Sequence, residues 1–175
     1  NQYREVFTFP IEDYYKRVGF DFDKIPFSML AHEYMEDYQE KSYACDLHSD
    51  VLDVVNKAKN LGFSQIVLSA SKMDYLLKQM ETLHVDDLFD SIYGINDIYA
   101  KSKVELAHAF KQTCSLDDEI YFVGDSVHDY EVAKSIGAKC ILVTTGHQNR
   151  ATLESVNVPV MDSLMESLDL IYERD

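Results

Sequence analysis

The sequence predicts an α/β fold in which a parallel sheet is covered by helices on both faces. Two observations carry this prediction. After residue 48, stretches with apolar residues at three- and four-residue intervals alternate with short continuous apolar runs. Those runs are rich in β-branched and aromatic residues, as expected of strands buried on both faces, and each is separated from the next by a helical stretch.

Taken in order, SDVLDVVNKAKNLG is the first helix of this part, with Val51, Leu52, Val55, Ala58 and Leu61 on one face and Gly62 as a left-handed cap. QIVLS (65–69) is the first strand. SKMDYLLKQMETL follows as a helix with Ser71 as N-cap and Asp74 at the third position. SIYG (91–94) is a strand, and SKVELAHAFKQT a helix opened by the capping box of Ser102 and Glu105. EIYFVG (119–124) is a strand, VHDYEVAKSIG (127–137) a helix ended by Gly137, and KCILVTT (139–145) a strand. A short VPV strand and the helix MDSLMESLDLIYER close the chain. Right-handed crossovers between such units give parallel neighbours.

Residues 1–47 read differently. They hold no long strand-like run, and two helical stretches open at prolines, IEDYYKRV after Pro10 and FSMLAHEYMEDYQEKSY after Pro26. The organisation expected is a helical part at 1–46 and an α/β core at 47–175.

Composition narrows the function. A formal net charge of −15 repels polyanions, which argues against nucleic acid or an anionic membrane surface as partner while leaving room for a small phosphate in a locally positive pocket. No apolar run approaches the roughly 20 residues needed to span a bilayer. Three cysteines, Cys45, Cys114 and Cys140, lie without Cys-x-x-Cys spacing, so reduced thiols and a cytoplasmic setting are expected.

In an open parallel sheet, ligands bind beyond the carboxyl ends of the strands, so the residues ending each run are the candidates. Ser69, Ala70 and Ser71 end the first strand and lead into a helix, bringing a hydroxyl and backbone N–H groups to a positive helix end where an anion is favoured; Ser69 or Ser71 as a plain N-cap is the competing reading. The strand at 119–124 ends in GDSVHD. There Gly124 permits a sharp turn, Asp125 emerges at the tip, and Asp129 sits one helical turn on, where it can support a cation ligand or merely complement the helix dipole. Lys101 and Lys103, after the strand at 91–94, offer a point charge for phosphate.

IVLSAS, SKVELA and YFVGDSVHDYEVAKSIGAKCILVTTGH, in that order, resemble the second, third and fourth motifs of the haloacid dehalogenase-like hydrolases, in particular the phosphoglycolate-phosphatase-like branch with a helical cap. The resemblance implies a Rossmann-like core, residues 1–46 as part of the cap, and a Mg²⁺-dependent phosphatase of small phosphorylated metabolites that works through an aspartyl-phosphate. It also implies that Ser69 binds the transferring phosphoryl group beside Ala70 and Ser71, that Lys103 balances charge, and that Asp125 ligates Mg²⁺ with Asp129 supporting. The family's first motif, Asp-x-Asp-x-Thr at the end of a buried strand, has no counterpart. The pair Asp21 and Asp23 in VGFDFDK follows a charged helical lead-in, has Ile25 where Thr or Ser belongs, and runs straight into Pro26, so it is assigned to a loop between two cap helices.

Without that strand the middle of the sheet is missing, along with four or five buried side chains worth about 1.5–3 kcal/mol each, a sum comparable with a domain's whole stability. About 30 to 50 further residues upstream are therefore expected in the complete gene product. The chain alone is expected to be inactive, and its two bared strand edges to pair with each other or with another molecule. A catalytically dead relative that binds a phosphorylated ligand or a protein partner is the alternative. A receiver-like signalling domain fits less well, because Ser69 stands where a phosphoacceptor Asp is needed.

Overall fold

A computed structural model of the chain describes residues 2–8, 10–95 and 102–173. Its elements in chain order are α1 (Gln2–Val6), α2 (Ile11–Arg17), α3 (Phe27–Ser42), α4 (Val51–Asn60), β1 (Ile66–Lys72), α5 (Met73–Thr82), a 3₁₀ turn (Asp86–Leu88), β2 (Ser91–Ile95), α6 (Lys103–Lys111), β3 (Tyr121–Gly124), α7 (Val127–Ser135), β4 (Lys139–Val143), α8 (Arg150–Glu154), β5 (Val160–Met161) and α9 (Leu164–Tyr172). Every strand pair is parallel, and the strands form two sheets, β1-β2 and β3-β4-β5. Mixed α/β architecture with helix-covered parallel strands is thus what the alternating pattern produces. Among the described residues no helix is long and apolar enough to cross a membrane.

The two sheets are held together by side chains. Leu68 of β1 and Phe122 of β3 pack in one cluster with Val104 and Ala107 of α6 and Val132 of α7. A second cluster sets Ala133, Cys140, Leu142 and Leu153 between α7, β4 and α8. Among the described residues the expected pairing of the inner edges with each other is not seen: β1 and β3 share no ladder and are linked through side chains of α6 and α7.

Several boundaries differ from those read off the sequence. β1 runs on to Lys72, tied by an irregular bridge to Ile95, so Ser71 lies within the strand and the N-cap of α5 is Lys72, with no side-chain cap bond. β4 ends at Val143, two residues early, and the last strand is Val160–Met161, shifted past Pro159, whose carbonyl accepts from the Leu142 N–H. Pro10 and Pro26 occupy N-cap positions just outside their helices, where the missing N–H costs nothing. The cap at Ser102 holds better than that at Ser71. Ser102 accepts from the Glu105 N–H, Ser163 caps α9 in the same way, and Gly62 and Gly137 have the positive φ of left-handed caps.

Asp21 and Asp23 lie in the turn between α2 and α3. Asp21 Oδ1 accepts from the Asp23 N–H at 3.1 Å, and its other oxygen pairs with Lys24. The Asp21 carboxylate thus closes the turn, to which Asp23 gives its N–H. Around them Tyr14, Tyr15, Phe20, Phe22 and Phe27 meet ring edge to ring face, which packs the helical part.

Candidate functional site

The β3–α7 turn is densely hydrogen-bonded. Gly124 is required there by space, since a Cβ would overlap the Asp129 side chain. Asp129 turns back over the start of α7 as the third residue of a complete capping box with Ser126. Its Oδ2 accepts from the N–H groups of Asp125 (3.0 Å) and Ser126 (3.1 Å) and from Ser126 Oγ (2.8 Å). Its Oδ1 takes Lys103 Nζ at 2.5 Å, in a pair whose side chains are 18% and 4% exposed. Burial alone pushes the Asp129 carboxyl up, yet the Lys103 charge and the bonds from Lys103, Ser126 and the Asp125 N–H outweigh it and hold the group below its ordinary value. Lys103 also lies over the Phe122 ring, 5.5 Å from its centre.

Asp125 projects from this turn toward the loop at 144–149. Its Oδ2 accepts from the His147 N–H at 2.6 Å, and the carboxylate lies so close to Gly146 that a Cβ at 146 would overlap it. Gln148, buried, accepts with Oε1 from the Val127 N–H at 2.7 Å and so completes the start of α7. Asp125, Gly124, Val123, Thr145, Gly146, His147, His48 and Leu164 border an open cavity of about 540 Å³.

The sequence candidates are therefore brought together in part. Lys103, Asp129 and Asp125 form one network. Ser69 follows Leu68 of the shared cluster, and its hydroxyl accepts from the Ser71 N–H at 3.1 Å, a local turn that uses one of the donors expected to face an anion. Neither Ser69, Ala70, Ser71 nor Lys103 borders the Asp125 cavity. Lys101 lies outside the described residues. His128 pairs with Glu131 on the outer side of α7.

For a hard cation the donors are few. Among the described residues no three His, Cys, Asp or Glu side chains come together as a ligand set. Asp129 has both oxygens engaged and fits the role of fixing the turn; Asp125, whose Oδ1 accepts no hydrogen bond among the described residues, fits as one oxygen ligand of the six or more such an ion takes.

Three contributors escaped the sequence reading: Arg4, which donates to the carbonyls of Thr144 (3.0 Å) and Thr145 (3.2 Å), Gln148, and the His147 backbone N–H. Arg4 could not have been found, since its partners lie 140 residues away. A polar Gln directly after Gly-His in a tight loop was the one available signal for Gln148.

The profile of the haloacid dehalogenase-like hydrolase family matches residues 1–143. Among solved structures, the chain is similar to a haloacid dehalogenase-like hydrolase from Streptococcus pneumoniae (TM-score 0.80, 21% identity, 93% of this chain and 76% of that one). It is also similar to a predicted phosphatase from Clostridium acetobutylicum (0.77, 20%, 93% and 76%) and a predicted phosphoglycolate phosphatase from Haemophilus somnus (0.67, 16%, 97% and 79%). No curated protein matches. At these identities the structures speak for the fold, and the family match speaks for descent: the chain belongs to the haloacid dehalogenase-like hydrolases.

Proposed function

From that membership, we propose that this chain provides the charge-balancing side of a phosphoric monoester hydrolase that acts on a small phosphorylated metabolite. The observation that carries the reading is the Lys103–Asp129 pair: the buried carboxylate is charged because the part-buried ammonium meets one of its oxygens, while the other oxygen fixes the turn that presents Asp125.

In this reading Lys103 offsets the negative charge of a phosphoryl group received near Ser69, with Ala70 and Ser71 beside it. Asp125 would hold Mg²⁺, whose chemistry when bound is to draw charge from the phosphoryl oxygens. Asp129 holds Asp125 and Lys103 in register. The attacking group is an aspartate of the first motif, which these 175 residues do not contain. In a protein carrying that motif the carboxylate would attack phosphorus as the ester P–O bond breaks, the motif's second aspartate would give the leaving alcohol its proton, and the same aspartate would take a proton from the water that hydrolyses the aspartyl-phosphate to orthophosphate.

A second reading draws on the site itself, where neither Ser69 nor Lys103 borders the Asp125 cavity: a non-catalytic relative that retains a phosphorylated ligand or a protein partner. In a protein carrying the motif, Asp125→Asn should abolish Mg²⁺-dependent hydrolysis of p-nitrophenyl phosphate while the circular dichroism spectrum is retained. Unchanged turnover overturns the assignment of Asp125. A complete frame without the motif that binds orthophosphate and hydrolyses no ester favours the second reading.

A further inference from the structure

A five-residue helix from the far end of the sequence, with the residue that follows it, holds the loop at 144–149 by hydrogen bonds and ring contacts. Arg4 grips two successive carbonyls, Thr144 and Thr145. Tyr3 OH and His147 Nδ1 share a hydrogen bond of 2.7 Å, Phe7 just beyond the helix stacks on the His147 ring at 4.8 Å, and Asn149 Nδ2 donates to the Arg4 carbonyl at 3.3 Å. The same loop gives the His147 N–H to Asp125 and the Gln148 carbonyl oxygen Oε1 to Val127.

The choice of partners is unusual for this chain. It holds 31 acids against 16 Lys and Arg, yet Arg4 spends its planar fork on neutral carbonyls. Two carbonyls pointing the same way fix the peptide planes on either side of Thr145. The next two residues are Gly146, which can carry no Cβ against Asp125, and His147, whose N–H reaches the carboxylate. Fixing residues 144 and 145 therefore sets where the N–H of 147 points. That N–H decides which oxygen of Asp125 is engaged and which is left outward.

We propose that Arg4 is a positioning residue for Asp125, acting through the backbone of 144–147, with Tyr3 and Phe7 holding the His147 ring in support. α1 is then a brace of the site. This rests on the reading of Asp125 as a cation ligand for its purpose, though the brace itself can be measured without any ion.

The test is amide hydrogen exchange, read by NMR in the chain, in Arg4→Ala and in Arg4→Lys, followed by titration with MgCl₂. Loss of two charge-assisted bonds should speed exchange at His147 about tenfold or more in Arg4→Ala. Amides of Ile141 and Leu142 in β4 should keep their wild-type rates. Arg4→Lys, which keeps the charge but not the two-pronged grip, should fall between, and it carries the comparison if Arg4→Ala does not fold. The Mg²⁺-induced shift of the His147 amide should weaken in the same order. Unchanged exchange at His147 in Arg4→Ala overturns the proposal, as does an equal acceleration throughout β4, which would mean general loosening. Absence of any Mg²⁺ shift in the wild type counts against the cation role of Asp125, while the exchange rates still decide the brace.

Discussion

The two sheets hold what they carry with unequal firmness. In β3-β4-β5 the middle strand is buried along four of its five residues, from Cys140 to Val143, and the turn beyond β3 has its polar groups bonded inward. In β1-β2 no residue of β1 is fully buried, the ladder breaks between Leu68 and Lys72, and among the described residues the Ser69 hydroxyl bonds only to a neighbour two residues on. Asp125 and Asp129 are thus held in a dense bonding network, and Ser69 and Ser71 in a far looser one. In the phosphatase reading proposed above, ligand binding would have to order only the looser half.

That contrast is open to several measurements. The largest effect is expected at the buried pair: Lys103→Met strands the Asp129 charge and should cost about 3–5 kcal/mol in denaturant unfolding. A loss near zero would mean that the turn is not organised by this pair. Next, Leu142→Ala should cost about 2–5 kcal/mol, against about 1–2 for Leu68→Ala, whose side chain is only half-buried. Equal losses would erase the difference between the sheets. Gly146→Ala must push Asp125 aside and should cost about 1–3 kcal/mol together with the bond to His147, read from the chemical shift of that amide. Smallest of all, Ser71→Ala should shift stability by less than about 0.5 kcal/mol because Ser71 caps nothing, whereas Ser163→Ala removes a real cap worth about 1 kcal/mol.

Acid sharpens the same comparison. The folded-state pKa of Asp129 is lowered against its unfolded value of 3.8, so its contribution is fully present above that pH and is lost as pH falls through the folded value. Unfolding free energy followed from pH 6 downward should fall less steeply in Asp129→Asn than in the wild type below about pH 4. Parallel curves would show that the carboxylate is not favoured in the folded state.

How much was legible in the sequence follows from where the determining interactions lie. Helices such as Val51–Asn60 and strands such as Tyr121–Gly124 are set by local pattern, and Ser102 and Ser126 announce their caps within three residues. The end of β1 was misread because Ser69 and Ser71 look like caps, while the deciding bridge, Lys72 with Ile95, joins residues far apart in sequence. α1 and α8, five residues each, are too short to show a period. Lys103 and Asp129 were both named from the sequence, but their union was not. Each was read against an absent ligand, and the structure sets each against the other.

The turn at 125–129 has a further electrical meaning. Its main-chain protons at 125, 126 and 127 are all directed to oxygens of the protein, and the group left facing outward at its tip is the lone-pair side of a carboxylate. Those three donors are already spent on the protein, although a helix begins at that very spot. The polarity that a helix start normally shows to solvent is thereby masked at α7.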